Sequence, residues 1–100
     1  MYIEEKIVSG IKAELEIIHI GRADLLVIQL TFERISSSSE RPKFIVMIKT
    51  KQKTARIDSF QTPELEVGEI KKESSTGPYY EEMFGAKWWI QIEEPNSQSS

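Results

Sequence analysis

Residues 12–34, KAELEIIHIGRADLLVIQLTFER, decide the fold. From Lys12 to Ile20, Ala13, Leu15, Ile17 and His19 fall on one parity. Lys12, Glu14 and Glu16 fall on the other, joined near the end by Ile18 and Ile20. From Asp24 to Arg34, Leu26, Ile28, Leu30 and Phe32 share a parity, while Leu25 and Val27 and then Gln29, Thr31 and Glu33 oppose them. A period of two marks a strand with one dry face, because successive side chains point to opposite sides of a sheet. The gap Gly21-Arg22-Ala23 is short, so the two runs are read as a hairpin. The second run begins apolar on both faces, which predicts a central place in its sheet.

Working outward, the same period recurs. Tyr2–Val8 offers a strand built on Ile3 and Ile7. Beyond a polar loop at Ser36–Pro42, Phe44, Val46 and Ile48 share a face, with Ile45 and Met47 opposite. Ala55, Ile57 and Ser59 form a weaker alternation that ends near Phe60 and a Gln61-Thr62-Pro63 turn. Leu65 and Val67 share a face, but Gly68 signals a bulge or the end of pairing. Pro78 suits the first position of a short helix and Gly85 a residue just past its end. In Ala86–Glu94, Trp88, Ile90 and Ile92 point inward, leaving Lys87, Trp89, Gln91 and Glu93 outward. The expected fold is therefore all-β, an antiparallel β-sandwich or small barrel of six to seven strands with one short helix near residues 78–84. Residues 1–94 are read as a single β domain and 95–100 as a disordered C-terminal tail.

One hundred residues make one domain, and 39 % hydrophobic with 29 % charged residues is a globular rather than a disordered composition. There is no cysteine, which excludes disulfides, thiolate metal sites and cysteine nucleophiles. The apolar runs are too short to cross a bilayer as helices, so no membrane insertion is expected. Glu4 and Glu5 precede any apolar stretch, which argues against a secretory leader and for the cytoplasm.

Charge is unevenly spread. Residues 1–40 carry four bases and seven acids, and residues 57–100 carry three bases and nine acids. Between them Arg41, Lys43, Lys49, Lys51, Lys53 and Arg56 stand with no acid. If the strand through Ile48 continues, Lys49, Lys51 and Lys53 project from one face, a row suited to phosphates or acidic side chains. Lysines also protect exposed strand edges from pairing with other chains. A second concentration is aromatic: Tyr79, Tyr80, Phe84, Trp88 and Trp89 lie within twelve residues. An outward Trp89 with Tyr79 and Tyr80 nearby has the composition of a protein-interface anchor, and also of a sugar-stacking platform.

Catalytic chemistry finds little support. His19 is the one histidine; it sits on an inward parity with no nucleophile motif and too few partners for zinc, and is read as structural. The pairs Glu4-Glu5, Glu81-Glu82 and Glu93-Glu94 are adjacent in sequence, so on a strand they point to opposite faces and cannot share a substrate. No phosphate-cradling glycine motif is present. The reading is a non-enzymatic interaction module without metal or cofactor, contacting a protein partner through Tyr79, Tyr80 and Trp89 and through an open strand edge. A second copy of the chain on the same surface remains open as the partner. Two alternatives are single-stranded nucleic acid on Arg41, Lys43, Lys49, Lys51, Lys53 and Arg56, and a small ligand or sugar on the aromatics.

Overall fold

A computed structural model of the chain describes residues 2–83 and 85–93. Seven strands follow in order: β1 (Tyr2–Val8), β2 (Ile11–Ile20), β3 (Leu25–Arg34), β4 (Lys43–Lys49), β5 (Thr54–Gln61), β6 (Ile70–Pro78) and β7 (Lys87–Glu93). They form two antiparallel sheets, one of four strands in the order β1-β2-β3-β6 and one of three in the order β5-β4-β7. The two layers pack face to face as a sandwich about 17 Å thin, with broad dimensions of 41 × 34 Å.

The expected hairpin is present. β2 and β3 pair from Ile11↔Arg34 to Ile20↔Leu25, and both are inner strands of the larger sheet. Their inward residues Ile11, Ala13, Leu15, Ile17, Leu26, Ile28, Leu30 and Phe32 are buried. From the other layer Phe44, Val46, Phe60 and Ile90 complete the core. The β1–β2 turn is only Ser9-Gly10, with φ of 52° and 77°, the left-handed pair that matches the twist of a two-residue hairpin. Glycine suits position 10 on both counts, since φ there is positive and a Cβ would press on Ser36 Oγ and lie 3.2 Å from the Ser36 carbonyl oxygen.

Three expectations change. Leu65 and Val67 do not form a strand; the segment turns back through Gly68, at φ 91°, and the next strand is the polar β6. The positions of β6 opposite Leu26, Ile28, Leu30 and Phe32 are Gly77, Ser75, Glu73 and Lys71, so backbone pairing to β3 rather than apolar burial recruits it. Helical structure within 78–84 is one 3-10 turn, Glu81–Met83, and Pro78 closes β6 instead of opening a helix. In β5, Ala55, Ile57 and Ser59 do not share a face. A bulge at Ile57 sets Ala55 opposite inward Ile48 and Ser59 opposite outward Ile45. The tail expected over 95–100 lies outside the described residues.

β1 and β7 meet at one edge of the sandwich. Ile90, 1 % exposed, donates its backbone N–H to Glu4 Oε2 at 2.6 Å, tying the edge strand β7 to the edge strand β1. A carboxylate acceptor makes this a strong bond, and its loss strands a buried donor. Glu4→Ala should cost about 2 kcal/mol and speed hydrogen exchange at the Ile90 amide. Glu4→Gln, which keeps an acceptor, should recover about half; equal losses for both would show that the bond contributes nothing.

Candidate functional site

β4 is the central strand of the smaller sheet, and its odd-numbered residues Lys43, Ile45, Met47 and Lys49 face away from the core. Register sets their neighbours. Trp89 lies directly opposite Met47 on one side and Arg56 on the other, while Lys87 lies opposite Lys49. This outer face thus has a half-buried Trp89–Met47 pair beside buried Ile45, surrounded by Lys43, Lys49, Arg56 and Lys87. The acid on it is Glu93, which meets Arg56 Nη2 at 3.6 Å and Lys43 Nζ at 3.9 Å. An excess of three positive charges remains around the apolar centre.

Lys49 and Lys87 are cross-strand partners of like charge, and neither forms an ion pair among the described residues. Like charges directly opposite each other destabilise a sheet. Lys49→Glu should therefore raise stability by about 0.5 kcal/mol, seen as a Tm higher by roughly 3 °C. An unchanged or lower Tm would mean that the two ammonium groups already avoid each other.

Beyond this pair the face turns a corner into an open cleft of about 800 Å³ at one end of the sandwich. Lys49, Lys51 and Lys87 line it together with Glu81 and Glu82. His19 and Tyr79 line it too, their rings stacked with centroids 3.7 Å apart. His19 keeps its inward parity but lies past the end of the core and is exposed, its ring stacked on Tyr79. Among the described residues, no cluster of three or more His, Cys, Asp or Glu is arranged to hold a metal, and no helix is long and apolar enough to cross a membrane.

The structure therefore divides both proposed residue groups. Tyr79 is half-buried in the cleft, Tyr80 is exposed beside it, and Trp89 is on the sheet face. Of the basic stripe, Lys43, Lys49 and Arg56 share the Trp89 face. β4 ends at Lys49, and Thr50 turns the chain by accepting from the Gln52 and Lys53 backbone N–H groups, which places Lys51 and Lys53 on the hairpin tip. Arg41 lies at the opposite end of β4, donating from Nε to the Thr62 carbonyl at 3.0 Å, while Gln61 Nε2 donates to the Arg41 carbonyl at 2.6 Å. Lys87 is the residue that sequence reasoning left out of the cationic group; its outward parity beside Trp89 was the available signal. No family model matches this chain, and no curated protein or solved structure matches it either.

Proposed function

We propose that this chain is an interaction module that takes an acidic, partly apolar protein surface onto the outer face of its three-stranded sheet. The observation that supports this reading is the ring of Lys43, Lys49, Arg56 and Lys87 around Trp89, Met47 and Ile45. An apolar centre with an aromatic anchor and a polar rim is the anatomy of a protein interface, and rim charge selects the partner's sign. The unpartnered Lys49–Lys87 pair beside the His19–Tyr79 stack favours a second reading, a single strand of nucleic acid whose phosphates and bases would use cations and rings in turn.

One titration separates them. In a Trp88→Phe variant the emission reports Trp89 alone. An extended peptide of alternating leucine and glutamate should shift it to the blue in a saturable, salt-sensitive way. Arg56→Glu with Lys49→Glu should abolish the shift. Quenching by oligothymidylate with no response to the peptide would overturn the protein reading in favour of nucleic acid, and silence towards both would overturn each.

A further inference from the structure

The two broad faces of the sandwich carry opposite charge. On the outer side of the four-stranded sheet, register places Glu5, Glu14, Glu16 and Glu33 with Lys12 and Lys72, an excess of two negative charges. Lys12 already meets Glu14 at 3.9 Å and Glu33 at 3.7 Å. Glu5 lies directly opposite Glu14, an acidic counterpart of the Lys49–Lys87 pair on the other face. Each face thus holds one like-charge cross-strand pair that weakens its own sheet, and the two pairs differ in sign.

The acidic face is also apolar at both ends. Ile18 is paired with Val27 and Ile20 with Leu25, and the two isoleucines are 37 % and 42 % exposed. At the far end Ile7 and Ile70 are more than half exposed. Ile18, Ile20, Leu25 and Val27 lie side by side across β2 and β3, and a contiguous apolar patch of this kind marks an interaction surface.

We propose that this partner is a second copy of the same chain, stacked head to tail, with the outer face of its three-stranded sheet against the outer face of this four-stranded one. The inference rests on the Trp89 face being a site for an acidic, partly apolar surface, and it names that surface. Charge decides between the ways two copies can meet. Like faces would set two negative excesses or two positive excesses together; unlike faces set three positive charges against two negative ones and relieve both like-charge pairs. Area does not limit the contact, because faces of 41 × 34 Å exceed the roughly 800 Å² per partner of a standard interface. The faces lie on opposite sides of a slab, so a contact of this kind does not close on two copies, and each chain keeps one free face of each sign.

Sedimentation of the full chain tests this. Wild type should pass from monomer through dimer to larger species as concentration rises, with association at least about tenfold weaker in ~0.5 M than in ~0.05 M salt. Val27→Lys blocks the acidic face, and Lys49→Glu with Arg56→Glu blocks the basic one. Each variant alone should be monomeric, and an equimolar mixture should form dimers and nothing larger. If Val27→Lys unfolds, Glu14→Lys serves in its place. A basic-face variant that still dimerises alone would overturn the head-to-tail arrangement in favour of a symmetric one. A wild type that stays monomeric at about 0.5 mM would overturn self-stacking altogether. If the leucine–glutamate peptide still shifts Trp89 emission in that case, the interaction reading survives and only the identity of the partner falls; if it does not, both fall.

Discussion

Replacing Arg34 with alanine is expected to lower stability by about 3 kcal/mol, with a fall in Tm of roughly 15 °C. Arg34 ends β3 and is only 2 % exposed, yet among the described residues no carboxylate neutralises it. Its guanidinium is held by carbonyls, Nη1 donating to Ser9 at 3.0 Å and Nη2 to Glu40 at 2.7 Å. Its backbone reaches a third segment, since Arg34 N–H donates to the Glu69 carbonyl and the Arg34 carbonyl accepts from Gly68 N–H. One residue therefore fixes the β1–β2 turn, the loop leading into β4 and the turn leading into β6. Truncation removes two charge-assisted bonds and leaves the Ser9 and Glu40 carbonyls without them. Lysine can reach one carbonyl and methionine neither, so stability should fall in the order arginine, lysine, methionine, with alanine lowest. Urea unfolding should show a reduced midpoint at unchanged slope. A methionine variant as stable as wild type would show that the stem matters and the charge does not.

Arg34 also marks where sequence reasoning stopped. By parity it falls on the dry side of β3, and nothing in a strand pattern says that a guanidinium there will be held by the Ser9 and Glu40 carbonyls of two other segments. The pattern was legible where one face met a full opposing layer: Ala13 to Ile17, Leu26 to Phe32, Phe44 to Ile48 and Trp88 to Ile92. It failed at β6 because the larger sheet sets four strands against three, leaving its outermost strand little to pack on. Lys71, Glu73 and Ser75 are the result, polar residues on a core-facing parity.

The site was legible to the same degree. Counting alone puts Trp89 and Lys49 outward, because both lie on unbroken strands. Arg56 required the bulge at Ile57, which reverses parity within β5; without it Arg56 would share the inward side of Asp58 and Phe60. That Lys49 faces Lys87 across thirty-eight residues of sequence is a fact of register, and no local pattern carries it. The same holds for the opposite charges of the two broad faces, which appear only once the strand order is known.

The largest single loss should come from the middle of the core. Phe32, from the four-stranded sheet, and Phe44, from the three-stranded one, are both fully buried, with ring centroids 5.8 Å apart and planes tilted by 50°. Phe44→Ala is expected to cost about 4 kcal/mol, and Phe32→Ala a similar amount, through lost burial and the cavity left behind. For a domain of this size, whose whole stability is of order 10 kcal/mol, either loss consumes a large fraction. In a double-mutant cycle the pair should show a coupling of about 1 kcal/mol, because the second truncation removes a ring that has already lost its neighbour. The reason to choose this pair is topological. The sheets share no strand and are tied at their edge by the Glu4–Ile90 bond, so packing across the layer carries the cohesion between them. If the core unites the sheets, both single variants should still unfold in one transition, with circular dichroism and tryptophan emission changing together. Two separated transitions, or a coupling indistinguishable from zero, would mean that each sheet holds itself together and that the contact between the two rings is incidental.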